Sequence, residues 1–521
     1  MTERHQPLRQ VKMQQTQYKT YEHFPYDDLL TYAGLDCIVT PDILQALDPE
    51  LGKRPAHTVR KGGLRHGKDS IIRLESIQQS MDRCTMPAFE FICDMEINGV
   101  KYDVAKNAEI ASRMTREVAE LEGRIAAITG LSSSDLDSGK ILAHYLYEVR
   151  QFPVLSYTKT GEPSTDGDAL KELSKQVEAP WLLDIMKRND IASVYRTFIR
   201  DYVRDHVKSD GRLHPSYNLN GTSSFRITGD KPNLTQLPRP KHGYNVRECF
   251  TVDEGNVFIA FDFSSAEVKV LGALCRDPGL LKAIREGKDF HSYSASAMHG
   301  VSYEEFVEVL ANESHPLYRK YKEMRQAAKV LTFSILYGST PGGVALQLGL
   351  SPERAEELIN MYFTEFPLIR SFIEDAHVMA EKNHYVVTPF GQRKHEFGTL
   401  PEFQYTAAFN ACKRNAQNVL IQSTTSTLGL FAFSNLNADI SRLGAKCICT
   451  VYDSIEIEAP MEVAAEVIEK GFYYMNDYPQ EVFDWLDFPI GADGEIGFNW
   501  GELHHVHRGI TQKEIMERLA R

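Results

Sequence analysis

The sequence has few cysteines for its length, and their spacing argues against two classes of small stabilised domain. Only 8 cysteines occur in 521 residues, and no two of them form a C-x-x-C pair. A disulfide framework and a zinc ribbon both need more closely spaced cysteines, so we expect neither. Sparse cysteine is typical of a reducing compartment, and we expect a cytoplasmic protein.

Long apolar runs, an overall positive charge and low-complexity tracts are also missing. No apolar stretch reaches the roughly 18 residues of a membrane-spanning helix, and the first ten residues have no apolar core for a secretory signal. We therefore expect no membrane partner. Lys+Arg total 58 and Asp+Glu total 71, a formal net charge of −13. This balance still allows a nucleic-acid partner, because only the charge along a binding groove acts on the ligand.

The length and the ordinary composition indicate about two to four packed domains. Disorder or coiled coil as the main content is excluded by 42% hydrophobic and 25% charged residues. Apolar residues at helical spacing follow Asp103, a predicted N-cap, as far as Gly130, a predicted helix stop. A second helical stretch, rich in arginine and lysine, is predicted over about 180–206.

Two aspartates stand beside predicted strands. Asp262 ends the β-favouring run 257–263, and Asp453 lies at the tip of a predicted hairpin over 446–459. Each alone is compatible with a cap or a turn, which is the commoner use of aspartate at such a position. Two converging carboxylates could instead hold two Mg²⁺ ions about 4 Å apart, the arrangement for in-line phosphoryl transfer. The residues alone leave both interpretations open.

A predicted helix over 318–338 carries cations and aromatic rings on one face. The residues at successive steps of four are Arg325, Lys329, Phe333 and Tyr337. Such a face is either a chance amphipathic pattern or a wall for a nucleoside triphosphate. In the second case the cations lie on the phosphates and the rings lie against sugar and base.

A third polar set repeats the same spacing. Its members are Arg414, Asn418 and Gln422. Amide side chains suit the hydrogen-bonding groups of a nucleic-acid minor groove. A solvated helix face would have the same pattern, so this set is ambiguous by itself.

Taken in this order, the sets resemble the motifs of the family A DNA polymerases, the group of bacterial DNA polymerase I and many phage replicases. The main matches are FDFSSAEVKVLG (261–272), RQAAKVLTFSILYG (325–338) and TVYDSIEIE (450–458). Further matches are GTSSFR, KDFH, YVVTPFGQRK (385–394), MEINGVKYD (95–103) and TKTGEPST (158–165). The resemblance covers about 80–521. It implies a mixed, multidomain α+β right-hand polymerase fold, with an antiparallel-sheet palm, helical fingers and a helical thumb.

The resemblance also implies the domain boundaries. The expected domains are a remnant of a 3′–5′ exonuclease (1–50), a basic linker (51–80), the thumb (81–213), the first part of the palm (214–267), the fingers (268–413) and the second part of the palm (414–521).

The resemblance implies a role for each site residue. Asp262, Asp453 and the backbone carbonyl of Phe263 would bind two Mg²⁺ ions, for which Mn²⁺ could substitute, and Lys329 would protonate the leaving group. The implied nucleotide-binding residues are Glu267, His291, Arg325, Lys329, Phe333 and Tyr337. The implied DNA-binding residues are Arg226, Arg414, Asn418, Gln422 and Tyr452. Glu267 would exclude a 2′-hydroxyl, and Phe333 is similar to the version that discriminates against dideoxynucleotides.

Two features depart from the family pattern. Motif C usually reads His-Asp-Glu, whereas here it reads Tyr452-Asp453-Ser454. The change removes an auxiliary carboxylate and alters a primer-end contact, yet we expect activity because both aspartates remain. At the other end, Tyr32 and Asp36 resemble the last exonuclease motif without its partners. We expect no intrinsic exonuclease, and either a separate chain carrying the missing part or a short helical cap on the thumb.

The expected function is a DNA-templated DNA polymerase that extends a primer with dNTPs in phage replication, in the host cytoplasm. A non-catalytic DNA-binding subunit descended from a polymerase is one alternative, favoured by Ser454 and the truncated exonuclease. The intact metal-binding aspartates oppose it. A single-subunit RNA polymerase is the other, since serine often follows its motif C aspartate. Glu267 and Phe333 favour deoxyribonucleotides instead.

Overall fold

The computed structural model describes residues 65–66, 70–71, 76–222, 224–394 and 407–520. The exonuclease-tail prediction, with Tyr32 and Asp36, lies outside the described residues, as does most of the predicted linker. Within that linker, Ile77–Ser80 is helical, and the Ser76 side chain caps its N-terminus. None of the described helices is long and apolar enough to cross a membrane.

The chain divides into two compact units. The sheet unit comprises residues 87–271 and 421–521, and the helical unit comprises residues 272–420 with the described residues up to Met86. All strand pairs among the described residues are antiparallel. The predicted α+β class is therefore confirmed.

An eight-stranded sheet forms the centre of the sheet unit. In spatial order its strands are Lys446–Val451, Ser454–Pro460, Asn256–Phe263, Ala492–Asn499, Phe250–Thr251, Val100–Tyr102 and Arg212–Leu213, with Glu502–Val506 paired to Ala492–Asn499. Ser216–Asn218 pairs separately with Thr228–Asp230. The predicted strand over 257–263 and the predicted hairpin over 446–459 are confirmed.

The strand Asn256–Phe263, called the central strand, is buried along most of its length. Val257 through Phe261 are buried and Asp262 is exposed. β-Branched and aromatic side chains favour this extended conformation because they pack against neighbours on a pleated surface. On one face Phe258 stacks on Trp500 with ring centroids 6.0 Å apart. An exposed carboxylate at the end of such a strand is therefore held by a rigid support.

Helices complete the sheet unit. They are Met86–Asn98, Val104–Thr129, Ser133–Leu136, Gly139–Ala143, Gly167–Gln176, Trp181–Val194, Asp201–Asp205, Ala464–Phe472, Tyr478–Val482 and Gln512–Leu519. The Asp103 side chain accepts the Lys106 N–H at the start of Val104–Thr129, and Gly130, at φ +74°, ends it. Both predicted boundaries are confirmed.

A buried ion cluster fixes the hairpin strand Ser454–Pro460 to a distant strand. Glu458 is fully buried and accepts a hydrogen bond from Arg212 at 2.9 Å. The same carboxylate accepts the Asp253 N–H and the Asn256 amide, each at 2.8 Å. Loss of one partner would leave a buried charge uncompensated, which is strongly destabilising. The cluster therefore restrains the strand that follows the hairpin turn.

The helical unit is built from helices around Tyr318–Leu336. Its other helices are Ile77–Ser80, Pro278–Arg285, Phe290–His299, Tyr303–Ala311, Pro341–Leu348, Pro352–Glu365 and Pro367–Asn383. A small ribbon pairs Val386–Val387 with Arg393–Lys394. The helices Ala266–Cys275 and Ala407–Ile440 each contribute residues to both units.

Candidate functional site

Asp262 and Asp453 lie together at one end of the sheet. Asp262 is the last residue but one of the central strand, and Asp453 lies in the two-residue turn between Val451 and Ser454. The backbone N–H of Phe263 donates to the carbonyl of Asp453 at 3.1 Å. The structure thus brings together two acids that are far apart in the sequence.

Asp262 has a cross-strand neighbour on each side. It pairs with Ser454 on one side and with Asp493 on the other. Facing residues in antiparallel strands point to the same face of a sheet, so these three side chains form one row. The adjacent row on that face consists of Glu456, Ala260 and Glu495. Sequence reasoning missed Asp493, although its alternation with Glu495 along one strand was a usable signal.

Crowding and mutual repulsion make the Asp262 carboxyl hard to ionise. Its pKa is raised to about 6, first by partial desolvation and then by the charges of Asp453, Asp493 and Glu495. Partial desolvation also raises the pKa of Asp453, and the charge of Arg226 opposes that shift. Negative charge is therefore concentrated at this end of the sheet without full local neutralisation.

This arrangement fits a divalent metal ion that takes some of its ligands from the protein and the others from a substrate. Carboxylate and carbonyl oxygens are the ligands Mg²⁺ prefers, and a cation would relieve the repulsion that raises the Asp262 pKa. Within the described residues, no group of three or more His, Cys, Asp or Glu side chains is spaced to hold a metal ion. The predicted protein ligands are Asp262, Asp453 and the Phe263 carbonyl. Water and phosphate oxygens would complete the coordination, as is usual for Mg²⁺.

Arg226 connects three of the residues predicted to act at this site. Its Nη2 donates to the Glu267 carboxylate at 2.6 Å. Its guanidinium lies 5.7 Å from the centre of the Tyr452 ring. Glu267 lies in the first turn of the helix Ala266–Cys275. The guanidinium is thus held between a carboxylate and an aromatic ring, beside Asp453.

A buried carboxyl that the sequence reasoning missed lies just beneath the turn. Glu456 accepts a hydrogen bond from the Ser454 hydroxyl at 2.8 Å and from the Cys449 thiol at 3.2 Å. Burial raises the pKa of Glu456 to about 7. The signal was present in the sequence, because positions 454, 456 and 458 alternate and share one face of the strand.

In the helical unit, Arg325 makes a two-point ion pair with Asp289. Its Nε and Nη2 donate to the Asp289 carboxylate at 2.8 and 3.1 Å. Asp289 also caps the helix Phe290–His299 by accepting the Ser292 N–H at 2.9 Å. The guanidinium is therefore anchored to the helix that carries His291.

Aromatic rings continue along the same helix face. The Phe333 ring lies 5.7 Å from the His291 ring and 6.2 Å from the Tyr337 ring, in a stacked arrangement with the latter. Burial lowers the pKa of His291 to about 4, with the Arg325 and Lys329 charges adding to the effect and Asp289 opposing it. Lys329 is exposed and has no ion-pair partner among the residues described. A neutral imidazole beside two cations would suit an anionic group.

Arg414 and Gly338 depend on each other. Gly338 follows the helix Tyr318–Leu336 with φ +68°, and a Cβ there would lie 2.5 Å from the Arg414 Cγ. Close by, the buried amide of Gln417 donates to the carbonyls of Ile335 and Leu336 at 2.8 and 3.0 Å. The sequence pattern pointed to Asn418. It did not identify the adjacent Gln417, which caps the C-terminal end of the helix Tyr318–Leu336.

The three residues Arg414, Asn418 and Gln422 lie on the continuous helix Ala407–Ile440 at the expected spacing. All three are half-buried, and the Asn418 Oδ1 is buried without a hydrogen-bond partner among the residues that the structure describes. Buried amide oxygens normally have a partner, so Asn418 retains an unused acceptor.

Comparison with known proteins gives a family and individual relatives. The family model described as DNA polymerase family A matches residues 104–502. DNA polymerase I of Chloroflexus aurantiacus is 27% identical over 500 residues, which covers 94% of this chain and 48% of that protein. The thermostable DNA polymerase I of Thermus aquaticus is 30% identical over 422 residues, which covers 80% of this chain and 47% of that protein. The chain spans about half the length of these curated relatives.

A solved structure supports the same grouping. It is the POL domain of Pol1 from M. smegmatis in complex with DNA primer-template and dNTP, which matches with a TM-score of 0.70 and 25% identity. The match covers 80% of this chain and 70% of that chain, and it confirms the predicted polymerase fold. The family model spans most of the chain, including both aspartates and the helix Tyr318–Leu336. This chain belongs to DNA polymerase family A.

Proposed function

We propose that the chain is a DNA-templated DNA polymerase that extends a primer 3′-OH with dNTPs. The observation that carries the proposal is the pair of adjacent carboxylates, Asp262 and Asp453, at the end of a rigid sheet in a family A polymerase fold. The M. smegmatis domain was solved with primer-template and dNTP. Those ligands are the substrates proposed for this chain.

Asp262, Asp453 and the Phe263 carbonyl are the proposed ligands of two Mg²⁺ ions, for which Mn²⁺ could substitute. Such ions, when bound, lower the pKa of a coordinated hydroxyl and stabilise charge on a leaving pyrophosphate. The raised Asp262 pKa supports this assignment, because a bound cation would offset both the desolvation and the neighbouring negative charges that raise it.

The helical unit supplies the proposed triphosphate contacts. Arg325 and Lys329 bind the phosphates, and Lys329 donates a proton to the leaving group. His291, neutral at physiological pH because of its lowered pKa, donates a hydrogen bond rather than a charge. Phe333 and Tyr337, already stacked, present their faces to sugar and base.

The remaining proposed contacts are to sugar and primer–template. Glu267 excludes a 2′-hydroxyl, which selects deoxyribonucleotides. The proposed primer–template contacts are Arg226, Tyr452, Arg414, Asn418 and Gln422. The unused Asn418 acceptor supports a nucleic-acid contact at that position.

The proposed domains are thumb 81–213, palm 214–267 with 414–521, and fingers 268–413. The division between the compact units falls after 271 and after 420, close to the palm–fingers boundaries, and supports them. Action in phage replication, and a separate chain carrying the rest of an exonuclease, stay predictions. The exonuclease remnant at 1–50 and the basic linker at 51–80 also stay predictions.

Among the alternatives, Ser454 is compatible with an RNA polymerase or a non-catalytic subunit. Two features favour a DNA polymerase. The carboxylate pair has no use in a protein that only binds DNA. In addition, Glu267 is held next to the site by Arg226.

Primer extension by the Asp453→Asn variant tests the proposal. We expect incorporation to be abolished while primer–template binding stays near the wild-type level, because the change removes one metal ligand and preserves shape. Asp262→Asn should behave in the same way. Asp168→Asn, an exposed aspartate on the helix Gly167–Gln176, is the matched control and should extend primers normally. Wild-type rates from Asp453→Asn would contradict the proposal, as would a wild-type chain that accepts only ribonucleotides.

A further inference from the structure

Tyr452 has a backbone conformation that tyrosine rarely adopts. It is the first residue of the two-residue hairpin turn, and its φ is +60°. Glycine and asparagine favour positive φ in such turns, whereas an aromatic residue there is uncommon. The side chain is 48% exposed, so core packing does not explain its presence. An outlier of this kind points to a role for the side chain itself.

The ring of Tyr452 lies against the guanidinium of Arg226. The distance from the guanidinium carbon to the ring centroid is 5.7 Å, within the range of a cation–π contact. The guanidinium also donates to Glu267 at 2.6 Å. The three residues come from three separate segments of the sheet unit, and Arg226 is the member that touches both of the others.

The ion pair between Arg226 and Glu267 is partly open to solvent on the arginine side. The Arg226 side chain is 33% exposed and the Glu267 side chain 12% exposed. A partly exposed arginine side chain loses conformational entropy when it is ordered in one geometry. A planar guanidinium that also lies over an aromatic ring has fewer orientations left to it. The cation–π contact therefore restricts the Glu267 carboxylate indirectly, through Arg226.

We infer that Tyr452 is a positioning residue for Glu267: its ring holds Arg226 in the orientation that clamps the Glu267 carboxylate, and this sharpens discrimination against ribonucleotides. The inference rests on the proposed function, since the sugar is assigned to Glu267 there. It gives Tyr452 a role that does not depend on contact with the primer.

The effect falls on ribonucleotides more than on deoxyribonucleotides. The Glu267 carboxylate excludes a 2′-hydroxyl only while it occupies that position. Discrimination against ribonucleotides therefore weakens as the carboxylate becomes more mobile. A deoxyribonucleotide has no hydroxyl at that position, so its incorporation is little affected by the mobility of the carboxylate. Sugar specificity is the difference in transition-state free energy between dNTP and rNTP incorporation. The ratio of the dNTP and rNTP kcat/KM values is therefore the sensitive readout.

The test measures single-nucleotide kcat/KM for a dNTP and the matching rNTP in the full chain. Tyr452→Leu should lower the dNTP/rNTP ratio by about two- to fivefold, the range of an exposed cation–π contact. Loss of a primer contact would lower both kcat/KM values alike and leave their ratio unchanged, so the ratio isolates the positioning role. Tyr452→Phe keeps the ring and should keep the wild-type ratio. Tyr318→Leu removes another ring that lies under a cation, with the Lys322 Nζ 5.1 Å from its centroid, and is the matched control.

Two results would overturn the inference: a wild-type ratio from Tyr452→Leu, or an equal drop from Tyr452→Phe. Tyr452→Met replaces the leucine variant should that variant fail to fold. In an Arg226→Met background, Tyr452→Leu should produce no further drop, whereas an additional drop would show direct action on the substrate and reject the positioning role. A wild-type chain that incorporates no dNTP would reject the proposed function as well. Normal incorporation with an insensitive ratio rejects this inference alone.

Discussion

At the scale of single residues, the ionised carboxylate of Asp262 lowers the free energy of unfolding when no cation is bound. Its pKa is raised from 3.8 to about 6, so the native state binds a proton more tightly than the unfolded chain does. Between those two pH values the native state holds the extra proton, and the free energy of unfolding falls as pH rises. Above about pH 6 the full penalty of an ionised, crowded carboxylate is present.

We therefore expect Asp262→Asn to raise the Tm of the metal-free protein at pH 8 and to leave it nearly unchanged at pH 3.5. The amide keeps the shape and removes a charge that is disfavoured first by desolvation and then by Asp453, Asp493 and Glu495. Thermal unfolding in a chelating buffer measures this, with Asp168→Asn as the matched exposed control. A lower Tm for Asp262→Asn at pH 8 would contradict the electrostatic account.

At the scale of elements, the end of the helix Tyr318–Leu336 depends on Gly338. Its φ of +68° favours glycine, and a Cβ would meet the Arg414 side chain at 2.5 Å. Gly338→Ala should cost about 1–3 kcal/mol of stability from backbone strain and contact, and should weaken primer–template binding by displacing Arg414.

Gly349 offers the matched control for that prediction. It ends the helix Pro341–Leu348 at φ +65°, and a Cβ there would meet nothing within 4 Å. Gly349→Ala should carry only the backbone cost and keep wild-type DNA affinity. Urea unfolding and a primer–template titration separate the two effects. Equal DNA affinity in both variants would show that Arg414 does not depend on Gly338.

Local features of these elements could be predicted from the sequence. Asp103 and Gly130 mark a helix by their own backbone chemistry, and alternation marks the hairpin around Asp453. Pairings between distant segments could not be predicted in the same way. Asp493 reaches Asp262 only through a strand register set by the whole sheet, and Gln417 caps a helix some eighty residues earlier. Composition gives no measure of such long-range geometry.

At the scale of the whole molecule, a net charge of −13 and a proposed DNA partner make salt dependence informative. DNA affinity should fall steeply with added salt, because each phosphate contact releases counterions whatever the overall charge. Arg414→Gln should lower the slope of log Kd against log salt by about one. Arg370→Gln, at an exposed arginine on the helix Pro367–Asn383, should leave it unchanged. A slope near zero for the wild type would argue against a groove that binds phosphates.

The order of strands in the sheet has a consequence for biosynthesis. The central strand pairs with Ser454–Pro460 and Ala492–Asn499, which leave the ribosome roughly 190 residues or more after it. At about 5–20 residues per second, this apolar segment waits on the order of 10–40 s with both edges unpaired. Nascent or prematurely terminated chains should therefore be prone to aggregation, and slow translation or a shortage of chaperones should reduce the yield of folded protein.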